Sequence, residues 1–381
     1  MPHIVFHNPS NGYFPDAKDW KIDLSNDAPE DIQTSGITQP PIHATTVWNI
    51  YNNAEDKKDA LQFISNIFTK LISSHRFLYN FRDVENKGLI ANIHPWETGI
   101  DNSPKWDMIL KSIDTENVKI PPFKRKDLNF ISSEERPTDE VYSKFVYLME
   151  LFKQCKYKQE KICKESPFLV YDVLFNSILY KANLDLLKIA VLLKEDTKEI
   201  EEWIERGKKA FEEILWYDKD SMYHSYDLTQ HKIIRVHTAS CASPLYASIP
   251  GKDRALNIKE HLFTTCPFHQ EDICVSIPTF HNMQEGFNAS KYWRGPIWIN
   301  INWMIYKGLL NYGFKDLAHK IGLNTIRLIS ELGFWEYFYP TEMKGLGSNN
   351  FSWTAALLIN ILYEETGYYG NWLSGKASKP I

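Results

Sequence analysis

Apolar positions along the chain recur at helical spacing far more often than they alternate, and this pattern predicts a succession of helices. Over 55–78, Ala60, Leu61, Ile64, Ile67, Phe68 and Leu71 form one stripe, with Asp56 and Asp59 in the first turn. Over 138–155, Thr138 reads as an N-cap ahead of Val141, Tyr142, Phe145, Leu148, Met149 and Phe152. Segment 168–194 is apolar almost all round, which predicts a long buried helix or two. Segment 197–216 turns Ile200, Trp203, Ile204, Phe211 and Ile214 inward and its charges outward. Further helices are expected at 252–262, 296–311, 314–332 and 351–366. Strand signals are sparse; the best, 221–236, predicts a short hairpin between helices. Stretches rich in Pro, Asn and Gly at 9–20, 36–41, 92–104, 266–296 and 339–350 predict loops.

Helices of similar length alternating with long loops suggest helical hairpins packed side by side. The expected class is all-α: an α/α barrel whose loops gather at one mouth, with a small β-hairpin insertion. An open solenoid is the alternative, but no fixed-period repeat supports it. The 381 residues contain no linker or low-complexity stretch, so one domain over 1–381 is predicted, with 1–40 as an irregular N-terminal segment.

Composition narrows the function. A net charge of -5 gives no reason to expect nucleic acid or an anionic membrane as partner. No window approaches a membrane-spanning apolar run, and the first residues do not read as a secretion signal. Cys155, Cys163, Cys241, Cys266 and Cys274 are odd in number and lack paired spacing, which argues against a disulfide framework and for a cytoplasmic protein. No metal-ligand spacing is evident, so neither a metal nor any other cofactor is predicted. Phe, Trp and Tyr make up 14% of the chain. Sugar rings stack on flat aromatic faces, although a large aromatic core gives the same composition.

Candidate chemistry lies in four loops. His94–Asp107 carries Glu97, Asp101 and Asp107 among Trp96, Trp106, Pro95, Gly99 and Pro104, with the next helix starting near Pro104. A carboxyl held between indoles can have its pKa raised by desolvation, as a general acid near neutral pH requires. A cap-and-turn loop whose Asp residues satisfy backbone N–H groups fits the pattern equally well. Tyr292–Trp303 sets Arg294, a bidentate donor for a carboxylate or vicinal hydroxyls, beside Tyr292 and Trp293 at a helix entry marked by Gly295-Pro296. Trp298 and Trp303 can also be core residues, Trp303 above all. Gly333–Thr354 places Glu336 among aromatic and apolar neighbours, which is costly unless the group is paired or functional. Glu342, beside Thr341 and Lys344, reads as solvated. In Ser35–His43, Gln39 is pinned by Pro40-Pro41, a weak signal by itself. Two carboxylates in aromatic loops suit glycosidic hydrolysis, one protonating the leaving oxygen and the other activating water.

Taken together, the loops resemble glycoside hydrolase family 63 and its trehalase-containing clan, and within it the group of bacterial mannosylglycerate and glucosylglycerate hydrolases. Trp96-Glu97-Thr98-Gly99-Ile100-Asp101-Asn102-Ser103-Pro104 resembles the family's acid motif. Phe334-Trp335-Glu336-Tyr337 with Phe351-Ser352-Trp353-Thr354 resembles the base motif, and Tyr292-Trp293-Arg294-Gly295-Pro296 the sugar-contacting segment. Phe175-Asn176-Ser177 with Asp172 is also similar to a stretch of that group. The resemblance implies an (α/α)6 barrel and inversion of configuration, with Asp101 as acid and Glu336 as base. It implies a small carbohydrate substrate, a sugar linked to glycerate or similar. The substrate-binding set would be Gln39, Trp96, Glu97, Tyr142, Tyr292, Trp293, Arg294 and Trp353. Family members begin with further helices, one carrying a Trp and an Asp at the sugar subsite, so the barrel is expected to be incomplete at its N-terminus. A trehalase-like or oligosaccharide α-glucosidase of the same clan, or a truncated carbohydrate-binding paralogue without catalysis, are the competing readings. A homo-oligomer is compatible with all of them.

Overall fold

In the computed structural model the described residues are 1–7, 14–116, 118–129, 131–264, 276–282 and 284–373. Cys266, Cys274 and parts of the 9–20 and 266–296 loops fall outside them.

The chain is mostly helical. Its helices are α1 (Ala17–Trp20), α2 (His43–Asn53), α3 (Lys57–Arg82), α4 (Asp107–Ser112), α5 (Asp139–Gln154), α6 (Gln159–Glu165) and α7 (Val173–Leu193). After these come α8 (Lys198–Ala210), α9 (Ser243–Tyr246), α10 (Lys252–Thr264), α11 (Ile299–Asn311), α12 (Lys315–Leu332) and α13 (Ser352–Leu373). Consecutive helices pack as hairpins, α2 on α3, α7 on α8 and α11 on α12, with α13 closing on α11 and α12. No helix among the described residues is long and apolar enough to cross a membrane.

Helix α7 organises the core, because it is buried along most of its length and packs against α2, α3, α8 and α9. Three of its polar side chains are matched by partners. The Asn176 amide pairs with both backbone groups of Ile90, and Asn183 joins His75 at 2.7 Å and the Tyr79 hydroxyl at 2.7 Å. The Ser177 hydroxyl donates to the Val173 carbonyl at 2.6 Å. Such matched pairs avoid the cost of a buried orphan. At its N-terminus the Asp172 carboxylate accepts from Phe175 N–H as a cap and receives the fully buried Lys105 ammonium at 2.5 Å. Ser225 and Ser240 hydroxyls complete the Lys105 shell at 3.2 and 3.1 Å.

Asp172 also explains why the predicted 168–194 helix begins only at Val173: Val170–Tyr171 is a strand. It lies in a four-stranded antiparallel sheet, β3 (Ala91–Asn92), β4 (Val170–Tyr171), β7 (Ser225–Asp227) and β8 (Lys232–Ile234), in that order. The expected hairpin is therefore not isolated: β7 pairs with β8 as predicted, but also with β4, while β6 (Met222–Tyr223) folds back on β5 (Trp216–Tyr217). Two small ladders complete the set, β1 (Val5–Phe6) with β2 (Gln33–Thr34) and β9 (Tyr337–Phe338) with β10 (Gly345–Leu346). Strand β3 delivers the chain into the 94–107 loop.

Four helices went unforeseen, α1, α2, α6 and α9. In α2 the β-branched run Thr45-Thr46-Val47 lowers propensity and Ile42 offers no side-chain cap, so its burial against α7 decides its state. Helix α1 falls inside the expected 9–20 loop; the Asp16 carboxylate caps it, with Asp19 bonding back to Asp16 N–H. Removing the buried ammonium leaves Asp172 uncompensated, so Lys105→Met is expected to cost about 3–5 kcal/mol of stability. Urea denaturation measures this, and a loss under about 1 kcal/mol would show the pair to be dispensable.

Candidate active site

The four loops meet in a cavity of about 380 Å³ whose wall includes Gln39, Trp96, Asp101, Arg136, Tyr142 and Glu336. The chain before it is tightly pinned. Pro95–Thr98 forms a 3-10 turn entered from His94, whose Nδ1 accepts from Trp96 N–H while Nε2–H donates to Phe145 carbonyl. That tautomer needs a neutral ring, and burial lowers the His94 pKa to about 3. Gly99, at φ 73, turns the chain back, and the Ile100 carbonyl accepts from Ser103 N–H and the Trp106 indole. Asp101 projects from this hairpin-like turn. Pro104–Trp106 is a further 3-10 turn that runs into α4, close to the predicted helix start.

Asp101 has its pKa raised to about 6. Burial is the main cause and the negative Glu336 adds to it, against its own backbone hydrogen bond, Arg136 and the Trp293 indole. Glu336, itself buried, sits differently. Its Oε2 accepts from Arg136 Nη2 at 2.8 Å and from Ser348 N–H at 3.1 Å. Its Oε1 accepts no hydrogen bond among the described residues. Gly347, at φ 70, lets the chain pass: a Cβ there would lie 2.5 Å from Glu336 Oε2. The Arg136 guanidinium also stacks over Tyr292, 4.4 Å from the ring centroid. Burial opposes its charge, yet Tyr292, Glu336 and Tyr337 raise its pKa, so it stays a cation.

Aromatic rings form the rest of the wall. Trp293 and Trp298 stack with centroids 3.7 Å apart, and Trp298 stacks on Tyr337 at 5.0 Å. Tyr292 holds a left-handed φ of 40, uncommon for a bulky residue, and its carbonyl is fixed by the Trp298 indole at 3.0 Å. Trp353 is 49% exposed at the rim. Tyr142 lines the wall with its hydroxyl donating to Phe14 carbonyl at 3.3 Å. The Gln39 amide makes no hydrogen bond to another described residue, so its polar head is available to a ligand.

Two expected contacts are corrected. Glu97 does not reach the cavity. It is fully buried, and its oxygens accept from Arg82, Ile93 N–H and both Thr38 N–H and hydroxyl. Burial alone would raise its pKa, but Arg82 and these donors hold it low. Glu97 thus ties the Thr38-Gln39 strand to the acid loop. Arg294 also turns away: its guanidinium pairs with the Asp107 carboxylate beside a separate pocket. Both tryptophans expected in the core belong to it, Trp298 within the buried cluster and Trp303 packed against it. Trp298 is 2% exposed, lines the cavity and precedes α11, while Trp303 is only half-buried and donates to Asn360 at 2.7 Å. Glu342 is exposed, as predicted.

Sequence reading missed Arg136, which lies in the charged run Ser132–Arg136 that resembles any solvated helix entry. It also missed Asp127, held by Arg125, and His3, a half-buried cavity-lining ring whose pKa is lowered to about 4 by desolvation. Asp220, His224 and His237 converge away from this cavity.

An aromatic cavity holding one raised carboxyl and one ion-paired carboxylate is the arrangement of a glycoside hydrolase, and the comparisons agree. Residues 1–354 match the mannosylglycerate hydrolase MGH1-like glycoside hydrolase domain, and the chain belongs to that family. It is 40% identical to mannosylglycerate hydrolase of Rubrobacter radiotolerans over 364 residues, which is 96% of this chain and 82% of that protein. It is 30% identical to glucosylglycerate hydrolase of Mycolicibacterium hassiacum, over 95% of this chain and 83% of that one. The crystal structure of mannosylglycerate hydrolase from Thermus thermophilus, a family 63 glycoside hydrolase, with Tris and D-glycerate superposes with a TM-score of 0.87. Identity is 39%, over 96% of this chain and 84% of the other. Neutral trehalase of Saccharomyces cerevisiae, 16% identical with a TM-score of 0.54 over 86% of this chain and 62% of that one, shares the fold.

Because Glu336 raises Asp101, the Glu336→Gln variant should lower the Asp101 midpoint from about 6. Carboxyl carbon NMR across pH reads this directly, and an unmoved midpoint would deny that the two groups share a field.

Proposed function

We propose that the chain is an inverting α-glycosidase built as an (α/α)6 barrel, acting on a small glycoside of glycerate such as mannosylglycerate or glucosylglycerate. The observation that carries the reading is the asymmetry of its two carboxyls in one cavity: Asp101 is raised to about 6 and Glu336 faces a cation. The named activities of the relatives, and the D-glycerate and glucose bound in the Thermus structures, support the substrate class.

The chemistry follows from that asymmetry. Protonated Asp101 gives its proton to the glycosidic oxygen as the bond to the anomeric carbon breaks. Glu336, through the free Oε1, takes a proton from the water that attacks from the opposite face, so the product sugar leaves as the β anomer. In this geometry the two carboxyls stand roughly 6.5–9.5 Å apart to admit that water. Arg136 orients Glu336, and its buried Nε, without a partner among the described residues, is a spare donor for a substrate hydroxyl. Gln39 and Tyr142 serve the glycerate end, while Trp96, Tyr292, Trp293 and Trp353 provide ring faces for the sugar. Glu97 and Arg294 support these residues instead of touching the ligand.

Asp101→Asn and Glu336→Gln are each expected to lower kcat on mannosylglycerate or glucosylglycerate by about 10²–10⁴-fold. Rate assays decide this, and full turnover by either variant removes that residue from its role. The acid works only when protonated, so kcat/KM should fall as pH rises through about 6. A profile still flat at about pH 8, well above that midpoint, would contradict the assignment. Proton NMR of fresh product should show the β anomer first; an α product would refute inversion.

A further inference from the structure

Outside the catalytic cavity, three side chains that no step above uses converge around the turn after β5 and the segment after β8. One atom each from the Asp220 carboxylate and the His224 and His237 imidazoles all lie within 4.8 Å of one another. His224 Nε2 and His237 Nε2 stand 3.1 and 3.4 Å from the same oxygen, Asp220 Oδ2. Donors bound to a tetrahedral zinc ion at about 2.0–2.1 Å sit about 3.3–3.4 Å from one another, so these spacings suit edges of that coordination shell. Hydrogen bonds could use similar distances, but His224 Nε2 is fully buried and makes no hydrogen bond of acceptable geometry among the described residues.

The surroundings orient these donors. On the far side of His224, Nδ1 faces Cys241 Sγ at 3.8 Å, and the Tyr217 ring meets the imidazole edge-on. A ligating histidine whose other nitrogen meets a polar neighbour in this way has its ring direction set in advance. His237 is fixed by its backbone, whose carbonyl accepts from the Gln284 amide at 2.9 Å and whose N–H donates back to it at 3.3 Å. It borders a small void of about 40 Å³ lined also by Thr238, Cys241, His261 and His281. The opposing charge is Arg235, whose guanidinium holds Asp220 from the solvent side. Its side chain is 59% exposed. Spacings of four and thirteen residues match no familiar metal motif, so only the folded chain brings the three ligands together.

We propose that Asp220, His224 and His237 form a binding site for one divalent transition ion, zinc by its donor set, with the fourth position open. Two imidazoles and a carboxylate favour zinc over magnesium or calcium, which take oxygen ligands. None of the three lines the catalytic cavity, so the ion is structural. It ties the β5–β6 turn to the stretch ahead of Ser240, whose hydroxyl holds the buried Lys105 beneath the acid loop.

The test uses untagged protein stripped with a chelator, titrated with zinc chloride by calorimetry and then melted with zinc or magnesium. One equivalent of zinc should bind and raise the melting temperature, while magnesium should not. His237→Ala, at the half-exposed edge of the cluster, should keep the ion-free melting temperature and the hydrolytic rate but lose both zinc binding and the shift. Arg235→Gln, which removes the competing cation and touches no ligand but Asp220, should bind zinc more tightly than the parent. Absence of saturable binding, or binding retained at parental strength in His237→Ala, overturns the proposal.

Discussion

The ion pair between Arg136 and Glu336 is the contact on which the site depends. Two carboxyls share one cavity, and the guanidinium bonds to only one of them, at 2.8 Å. Its placement is over-determined. The guanidinium is stacked on Tyr292, and the preceding residue, Glu135, accepts from Gly347 N–H at 2.8 Å and from the Tyr337 hydroxyl at 3.3 Å. The segment that brings the cation is thereby fastened to both sides of the loop that carries Glu336. Asp101, with no cation bonded to it, responds to burial instead, and its midpoint rises to about 6. One arginine thus fixes the Glu336 carboxylate and leaves the neighbouring Asp101 without a bonded cation.

Beneath the cavity lies a second layer of buried charge that does no chemistry. Lys105 with Asp172, and Arg82 with Glu97, are each almost wholly shielded from water. Replacing such pairs with well-packed apolar groups would cost little stability, so their value lies in specification. Each joins segments far apart in sequence: Glu97 links the acid loop to Thr38, and Asp172 links the start of α7 to Lys105 and the sheet. The acid turn is therefore clamped on both sides by directional bonds, which set its position more narrowly than packing alone would.

The sequence made the long helices and the two carboxyl positions legible because each rests on local signals. The stripes of α3, α5 and α8 follow helical periodicity, and Asp101 and Glu336 stand out as charges amid aromatic neighbours. What stayed hidden depends on tertiary partners. Helix α2 has a weak local preference and forms because α7 covers it. Glu97 and Asp101 occupy the same loop with similar neighbours, and only the arrival of Arg82 and Thr38 separates a structural carboxylate from one that lines the cavity. Arg294 sits among aromatic residues in sequence, yet Asp107 draws it to another pocket. Arg136 comes from a polar stretch with no aromatic signature, and the His224–His237 pairing crosses a hairpin that no linear motif encodes.

The central claim is that Asp101 and Glu336 flank one glycosidic bond, and a crystal structure of the Asp101→Asn variant with intact mannosylglycerate or glucosylglycerate tests it most directly. The account predicts the residue 101 side chain within hydrogen-bonding reach of the glycosidic oxygen, and a water on the opposite face of the anomeric carbon held by Glu336 Oε1. A substrate seated outside this cavity, or a water held there by another side chain, would contradict it.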